Sequence, residues 1–398
     1  MKFKHLDIIK NMTLEQKASL MSGKDFWQTQ EIEELGIPSI FLADGPNGIR
    51  KQMAAADHLG LNESIKATCF PTSCSVASTW NKELAYEEGK RLSKEAKYQK
   101  VNVLLGPGVN IKRDPRCGRN FEYFSEDPYL AGQIAANLVK GIQTEGNSAC
   151  LKHFACNSQE LRRMNVDSIV DERALREIYL TQFEIAIKLG KPKTIMSSYN
   201  LINGEYANEN HHTCNDILRG EWGFDGMMVS DWGGVDNRVE GIKTGNDLEM
   251  PFTAGDTNKD IVEAVKSGKL AELDLDRCVD RVLDVILSTS AKLNGENEKP
   301  DLQEHHEFAK KVAEEMVQRY EAFYEQAKAF YIVGTAPKVD VTIAEVNLSH
   351  AKLMLIQSEN AVEIAMARLN NTMGLPYGNH YKIEENLKQI VWSSNIIL

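Results

Sequence analysis

Gly226-Met-Met-Val-Ser-Asp-Trp-Gly-Gly234 decides the fold class of this chain, because it is a strand-length apolar run that begins at a glycine and ends at a carboxylate. Earlier runs share this character: Ser39-Ile-Phe-Leu-Ala, Val101-Asn-Val-Leu-Leu and Thr194-Ile-Met-Ser-Ser. They are too continuously apolar for strands with one face in water. Each is therefore predicted to be a strand that is buried on both faces.

Amphipathic helical patterns separate these runs, over residues 81–98, 127–144 and 171–189. The alternation of strand and helix predicts an α/β fold with a parallel sheet. No glycine-rich dinucleotide fingerprint follows the first run. The length of the region therefore favours a closed (β/α)8 TIM-like barrel over an open doubly wound sheet. The predicted barrel domain covers residues 1–300.

The pattern changes after Ser290, where a polar segment over 292–301 that contains Pro300 is typical of a linker. Two long helical patterns follow, over 305–331 and 339–373, and Gly334-Thr-Ala-Pro337 separates them. The apolar positions of the second pattern form a stripe broader than a coiled-coil seam. This indicates an antiparallel helical hairpin. The predicted α-helical tail covers residues 301–398.

Composition excludes some classes of protein. The formal net charge of −11 argues against binding of nucleic acid. No apolar run is long enough for a transmembrane helix, and the N-terminal residues show no apolar core of a secretory signal, so a cytoplasmic location is expected. The 7 cysteines include no Cys-x-x-Cys pair and no histidine cluster at zinc spacing. We expect reduced thiols, no metal and no organic cofactor.

Several apolar runs end in a burst of polar residues, and the catalytic residues of barrel enzymes come from such strand ends. The bursts are Asp44-Gly-Pro-Asn-Gly, Lys152-His153, Ser198-Tyr-Asn200, Asp231-Trp232 and Asn246-Asp-Leu-Glu249. A carboxylate after a buried strand is suited to attack or stabilise an anomeric carbon, which makes Asp231 the candidate nucleophile. Trp232 is interpreted either as an apolar face for a sugar ring or as a core residue.

The same residues belong to motifs that occur in a fixed order: Asp44-Gly-Pro-Asn-Gly-Ile-Arg, Asp114-Pro-Arg-Cys-Gly-Arg-Asn-Phe-Glu-Tyr-Phe-Ser-Glu-Asp-Pro, Lys152-His-Phe-Ala-Cys-Asn, Met196-Ser-Ser-Tyr-Asn and Val229-Ser-Asp-Trp-Gly. Together they resemble glycoside hydrolase family 3 from about residue 10 to 315. Thr244-Gly-Asn-Asp-Leu-Glu-Met-Pro resembles the β-glucosidase branch. The resemblance implies that Asp231 is the catalytic nucleophile. It also implies that the sugar is bound in the −1 subsite by Asp44, Arg119, Lys152, His153 and Tyr199.

The resemblance leaves the general acid unassigned. In two-domain members that residue comes from a second α/β domain, and only its entry, residues 305–315, has a counterpart here. The single-domain branch uses a histidine in a Lys-His-Phe-Pro-Gly-His loop, whereas this chain has Lys152-His-Phe-Ala-Cys-Asn. Residues 317–378 instead resemble a helical-hairpin stretch of TolC-type outer-membrane efflux proteins. A natural gene fusion and a chimeric sequence both fit this arrangement.

The sequence therefore predicts a retaining exo-β-glucosidase that works by double displacement and is impaired by the missing acid/base domain. Its substrate would be a β-glucoside or a short β-linked oligosaccharide. Two other hypotheses remain open: a sugar-binding barrel that does not turn over, and an inert chimera. In either case the helical tail could serve to form homo-oligomers.

Overall fold

The computed structural model describes residues 3–52, 63–293, 295, 297–374 and 376. In chain order, the strands are β1 (Leu42–Ala43), β2 (Val103–Leu104), β3 (Ser148–Phe154), β4 (Asp167–Ser168), β5 (Thr194–Ser197), β6 (Leu201–Ile202), β7 (Glu205–Tyr206) and β8 (Met227–Val229). The helices are α1 (Leu6–Ile9), α2 (Leu14–Ser19), α3 (Ser73–Ser78), α4 (Lys82–Tyr98), α5 (Pro128–Ile142), α6 (Glu172–Ala174), α7 (Thr181–Ile185), α8 (Arg238–Thr244), α9 (Asp256–Lys266), α10 (Glu272–Leu293), α11 (Leu302–Ile332) and α12 (Lys338–Thr372). Short 3₁₀ and π turns occupy Glu33–Leu35, Leu175–Leu180, Ala186–Gly190 and His212–Glu221.

The main sheet has five strands in the order β1-β2-β3-β5-β8, and every neighbouring pair is parallel. Helices α4 and α5 and the helical segment from α6 to Gly190 lie between consecutive strands in the sequence. This confirms the predicted α/β fold with a parallel sheet. The carboxyl ends of all five strands consequently lie at one edge of the sheet.

Isolated bridges continue the pairing beyond this five-stranded half-barrel. They run from β8 back to the residue before β1, and the first two are parallel whereas the last two, around residues 28–29, are antiparallel. The paired residues are Val229 with Leu248, Glu249 with Ser22, Gly23 with Thr29, and Gln28 with Phe41.

The eight regular parallel strands that the sequence led us to expect are not formed in the described residues. The Asp25 carboxylate accepts hydrogen bonds from the backbone N–H groups of Trp27 (2.7 Å) and Gln28 (2.8 Å), so these donors are not available to a strand ladder. Pro251 follows Met250 and has no N–H to donate. Side-chain turns and a proline thus replace regular strands on this side of the sheet.

The five parallel strands are buried on both faces, as their continuous apolar runs predict. Along β3, Cys150 and Leu151 contribute to two different clusters of buried apolar side chains, and along β5, Met196 and Ile195 do the same. Successive side chains of a strand point to opposite faces, which explains the alternation. One cluster lies under α4 and α5, and the other includes side chains of α10.

Helices α4 and α5 pack closely because glycines meet at their crossing. A Cβ on Gly141 would lie 2.3 Å from the carbonyl oxygen of Tyr86 and 2.8 Å from the Cα of Gly89. The side chains of Asn81 and Asp127 accept hydrogen bonds from backbone N–H groups in the first turns of these helices, which fixes where each helix begins.

The chain divides into two compact units, residues 1–319 and 320–398. The first part of α11 belongs to the first unit, where Phe308, Val312 and Met316 are buried. In the second unit, Glu321 and Lys352 form an ion pair (2.8 Å) between α11 and α12. The two helices lie where the sequence predicts them, whereas residues 377–398 of the predicted tail fall outside the described residues.

Among the described residues, no helix is both long enough and apolar enough to cross a membrane.

Candidate active site

A pocket of about 210 Å³ lies at the carboxyl edge of the main sheet. It brings together all seven of the site residues predicted from the sequence: Asp44, Arg119, Lys152, His153, Tyr199, Asp231 and Trp232. Strand ends position most of them, because Asp44 follows β1, Lys152 and His153 lie in β3, Tyr199 comes after β5, and Asp231 comes after β8. Ligand pockets for drug-sized molecules are usually larger, about 300–1,000 Å³. The size therefore suits one small ring.

Asp231 presents an unpartnered carboxylate oxygen in this pocket. Its residue is 8% exposed, and its Oδ1 accepts a hydrogen bond from the backbone N–H of Trp232 at 2.8 Å. Oδ2 is buried and has no hydrogen-bond partner within the described structure. The nearest ring nitrogen, Nε2 of His153, lies 3.7 Å from Oδ2. Burial raises the pKa of Asp231, and the positive charges of Arg119 and Lys152 oppose this rise.

Lys152 and Arg119 are held beside Asp231 by other carboxylates. The Lys152 Nζ lies 3.1 Å from Oδ1 of Asp44 and 3.8 Å from Oε2 of Glu122. Arg119 donates through Nε to the buried carboxylate of Glu122. Burial would raise the pKa of Asp44, but the Lys152 ammonium, the backbone N–H of Gly45 and the charge of Arg119 together outweigh it, so the pKa lies below its usual value. Asp44 is therefore ionised at neutral pH.

His153 is neutral, and its hydrogen bonds identify its tautomer. Burial and the charges of Arg119 and Lys152 hold its pKa well below the usual value. Its Nε2 lies 2.9 Å from Nη2 of Arg119, and its Nδ1 lies 3.2 Å from the hydroxyl of Tyr123. A guanidinium can only donate, so Nε2 accepts and the proton lies on Nδ1. The backbone of His153 is also fixed, by two hydrogen bonds with the Asn110 side chain.

Aromatic side chains form one wall of the pocket. Trp232 donates from its indole nitrogen to the carbonyl of Phe26 (2.8 Å), and its ring centroid lies 5.4 Å from that of Trp27. The hydroxyl of Tyr199 donates to the carbonyl of Trp232 at 2.9 Å. The Arg163 guanidinium lies 4.7 Å over the Tyr199 ring. Trp232 is thus mostly buried and also lines the pocket, and its contact with a sugar ring stays a prediction.

The pocket also contains residues that the sequence analysis did not single out as site residues: Phe26, Trp27, Arg50, Leu105, Arg163 and Met196. Arg50 and Met196 occur inside the quoted motifs, so their positions could have been found from the sequence. Trp27 lies in the irregular segment before β1, where no periodic pattern marks it. The burst Asn246-Asp-Leu-Glu249 does not line the pocket.

Asp247 has a structural role instead. It is fully buried and receives hydrogen bonds from Arg281 (2.6 Å) and Arg219 (3.0 Å) and from the backbone N–H of Met228 (2.7 Å). These contacts attach the segment that bridges to β8 and so support the strand that leads to Asp231.

A larger cavity of about 760 Å³ adjoins this pocket, between the loop Arg113–Gly118 and the residues from Cys156 to Val170. Glu160 lines the larger cavity and forms a 2.7 Å ion pair with Arg163, which lines the smaller one. Asp44, Arg119, Lys152 and Asp231 all line the smaller pocket. In the described parts of the chain, no set of three or more His, Cys, Asp or Glu side chains could hold a metal ion.

Residues 10–285 match the N-terminal domain of glycosyl hydrolase family 3. The chain therefore belongs to this family. It is 53% identical over 308 residues to thermostable β-glucosidase B of Acetivibrio thermocellus. The aligned region covers 77% of this chain and 41% of that protein. It is 46% identical over 310 residues to an exo-α-(1→6)-L-arabinopyranosidase of Bifidobacterium longum, covering 78% of this chain and 41% of that protein.

Among solved structures, β-glucosidase 3B of Thermotoga neapolitana in complex with α-D-glucose superimposes with a TM-score of 0.74 at 42% identity. The match covers 78% of this chain and 46% of that chain. The chain thus spans less than half the length of these relatives.

Proposed function

We propose that this member of glycosyl hydrolase family 3 is an exo-acting, retaining hydrolase of β-glucosides that works by double displacement. Asp231 attacks the anomeric carbon as the bond to the leaving oxygen breaks, which gives a covalent glycosyl–enzyme. Water then attacks the same carbon as the bond to Asp231 breaks and its electron pair returns to the carboxylate, which restores the original anomeric configuration. The proton that this water loses passes through solvent to the leaving-group anion. The relatives named β-glucosidase support this choice of substrate class.

The observation that carries the proposal is the Asp231 carboxylate itself. One of its oxygens is oriented by a backbone N–H, and the other is buried and has no hydrogen-bond partner among the described residues, in a side chain that lines the pocket. A buried carboxylate oxygen without a partner is costly, and such groups in native proteins are commonly found where a ligand supplies the missing interaction. An anomeric carbon that gains positive charge in the transition state would supply it.

The other polar residues of the pocket would bind the sugar hydroxyls. The ionised Asp44 can accept two hydroxyl hydrogen bonds, and Lys152 and Arg119 can donate to hydroxyl oxygens. Trp232 would offer part of its ring to the apolar face of the sugar. Interactions of this kind increase the rate where they strengthen in the transition state.

A proton donor for the leaving group is not evident among the described residues of the pocket. Asp44 is ionised, and the proton of neutral His153 is engaged with Tyr123. The Tyr199 hydroxyl donates to a backbone carbonyl. Loss of general acid catalysis typically costs about 10²–10⁴-fold in rate. We therefore propose that this chain alone hydrolyses substrates with good leaving groups far better than alkyl glucosides.

A comparison of leaving groups tests this proposal. Dinitrophenyl β-glucoside should be cleaved at a measurable rate, and methyl β-glucoside should not. A 2-fluoro-β-glucoside should label Asp231, and peptide mass spectrometry would locate the label. Labelling of another residue would disprove the assignment of the nucleophile. Equal rates for both substrates would mean that an efficient general acid is present.

The arabinopyranosidase relative suggests a second substrate to test. An α-L-arabinopyranoside has a six-membered ring as well, but it lacks the hydroxymethyl group and carries the C4 hydroxyl in the opposite configuration, so it would fit into a pocket of the same size. The ratio of kcat/KM for the two nitrophenyl glycosides would show which sugar the pocket prefers.

A sugar-binding barrel without turnover is the alternative function, and the lack of an evident proton donor favours it. Glucose binding by calorimetry, together with no release of dinitrophenolate from the activated substrate, would establish this alternative.

For the remainder of the chain, we propose the predicted division into a barrel domain (1–300) and a helical tail (301–398). We also propose that the tail forms an antiparallel hairpin related to TolC-type hairpins and joins copies of the chain into a homo-oligomer. Exposed apolar side chains support this, among them Ile343, Val346 and Ile356. The double variant Ile343→Asp/Val346→Asp should then lower the mass measured by light scattering. The matched control Ser349→Asp should not, and a monomeric wild-type chain would contradict the proposal.

A further inference from the structure

His305 lies outside the pocket, yet it is almost completely buried at the start of α11. Its side chain is 2% exposed, and its Nδ1 lies 2.6 Å from Oε1 of Glu95 in α4, whose side chain is 1% exposed. Asp301 caps this end of α11 by accepting from the backbone N–H of Glu304 at 3.1 Å. Arg91 of α4 also pairs with Glu304 and lies 3.9 Å over the ring of Phe308. The first turns of α11 are therefore firmly attached to α4.

The second oxygen of Glu95 extends this contact to another segment. Oε2 of Glu95 accepts a hydrogen bond from the backbone N–H of Thr68 at 2.9 Å. The ring of His305 also packs near Phe70, with 6.1 Å between the ring centroids. One buried carboxylate thus joins α11 to the segment 63–70.

The segment 63–70 in turn supports the loop that follows β1. The backbone N–H of Phe70 donates to the carbonyl of Asn47 at 2.9 Å. Gly48, with φ of +148°, lies so close to Thr68 that a Cβ would be 2.4 Å from its carbonyl oxygen. The loop is closed by Arg50, whose backbone N–H donates to the carbonyl of Asp44 at 3.0 Å. Asp44 and Arg50 both line the pocket.

We propose that His305 is a positioning residue for the sugar-binding pocket, acting through Glu95 and the segment 63–70 on the loop that carries Asp44 and Arg50. The inference rests on the proposed binding of a sugar by Asp44. His305 does not touch the sugar. It fixes the orientation of the Glu95 carboxylate, and the two hydrogen bonds of that carboxylate hold α11 and Thr68 in register. Without His305 the Glu95 carboxylate can rotate away from Thr68. The loop that carries Asp44 and Arg50 then loses its packing against the segment 63–70.

Two substitutions of His305 test this role against a matched control. In His305→Asn the amide nitrogen takes the place of Nδ1 and can still donate to Glu95, whereas His305→Leu keeps the bulk and removes the donor. His306→Asn changes the next residue, which has no contact of this kind. We expect the dissociation constant for glucose to rise about threefold to thirtyfold in His305→Leu, the usual range for coupling through a network. His305→Asn should restore most of the binding, and His306→Asn should match the wild type.

A double-mutant cycle with Asp44→Asn distinguishes positioning from a loss of stability. Distant, independent sites have additive effects within about 0.3–0.5 kcal/mol. The proposal predicts non-additive effects of His305→Leu and Asp44→Asn on glucose binding. Additive effects, or a glucose affinity that is unchanged while the melting temperature falls, would overturn it.

If the wild type does not bind glucose, that result counts against the proposed function. The positioning role of His305 can then still be tested by hydrogen exchange. In His305→Leu the amides of Arg50, Thr68 and Phe70 should exchange faster, while those of β3 and β5 stay protected. If His305→Leu does not fold, the same amides are compared between Glu95→Gln and the wild type, because this change replaces one of the two accepting oxygens of the carboxylate by a donor. Unchanged exchange of these three amides would refute the positioning role.

Discussion

The ion pair between Lys152 and Asp44 should stabilise the folded protein by an amount that depends on pH. In Lys152→Met the side chain keeps much of its apolar length but loses its charge, which leaves Asp44 without its nearest cation and leaves Glu122 with Arg119 alone. Removing one partner of a fully buried pair costs about 3–5 kcal/mol. The Asp44 side chain is 38% exposed, so water reduces this cost, whereas the Glu122 side chain is only 5% exposed. We expect a loss of about 2–3 kcal/mol in the free energy of unfolding.

The direction of the pH dependence follows from the two pKa shifts. The folded-state pKa of Asp44 lies below its ordinary value of 3.8, so this stabilisation is present above pH 3.8 and is lost as the pH falls through the folded value. Although burial opposes it, the charges of Asp44 and Glu122 raise the pKa of Lys152 above 10.5. That contribution is fully present below pH 10.5 and is lost at still higher pH. The variant should therefore differ most from the wild type between these limits.

Thermal unfolding followed by circular dichroism at several pH values measures this effect. At pH 7 the expected loss corresponds to a decrease in melting temperature of about 3–5 °C, because an unfolding entropy of roughly 2.1 cal/mol/K per residue gives about 1.5 °C per kcal/mol for the unit of residues 1–319. The decrease should become smaller as the pH is lowered below 3.8. The control is Lys193→Met, because burial lowers the pKa of Lys193 and its charge does not stabilise the fold. An equal decrease in both variants, or one that does not change with pH, would refute the reasoning.

Three further predictions concern the fold and the state of the site. Asp247→Asn should lower the free energy of unfolding by about 3–5 kcal/mol, since the change leaves two buried arginines without their carboxylate. Chemical denaturation would measure this loss, and the control Asp236→Asn, at an exposed position, should have little effect. Gly141→Ala should cost about 1–3 kcal/mol, because its Cβ would force α4 and α5 apart; an unchanged denaturation midpoint would contradict this contact. His153 should remain neutral well below pH 6.5, with its proton on Nδ1; nitrogen chemical shifts that show a proton on Nε2 would contradict the assignment.

Regular elements with strong patterns could be predicted from the sequence. The helical pattern over 81–98 corresponds to α4, and that over 127–144 corresponds to α5, because an Asn or Asp side chain caps each start and apolar periodicity continues through each helix. The apolar runs before Asp44 and Asp231 contain the strands β1 and β8. Periodicity and caps are local features, so one sequence is enough to recognise them.

Elements that depend on tertiary contacts could not be predicted in the same way. The segment around Asp25 reads as an ordinary polar turn, and only the structure reveals that its carboxylate takes the backbone donors that a strand would use. Asp247 belongs to a polar burst like the others, but two distant arginines convert it into a buried structural carboxylate. Nothing in the local sequence distinguishes it from Asp231.

The candidate site was predicted more completely than the fold around it. Most of the predicted residues lie at strand ends, and the carboxyl ends of parallel strands meet at one edge, so a short list of motifs identified side chains that are distant in sequence. Arg119 is the exception, because it lies in the loop between β2 and α5. Lys152 and His153 are consecutive and would point to opposite faces of a regular strand. Both nevertheless line the pocket, and the peptide bond between them is cis. The side chains contributed by irregular segments, such as Trp27, needed the structure.

The most direct test of the central claim is the pre-steady-state release of dinitrophenolate from dinitrophenyl β-glucoside. The account predicts a burst of about one equivalent per active site, followed by slower turnover, because the covalent intermediate forms faster than it is hydrolysed. Asp231→Asn should abolish the burst, whereas the control Asp236→Asn should retain it. A burst that persists in folded Asp231→Asn, or its absence in the folded wild type, would contradict the account.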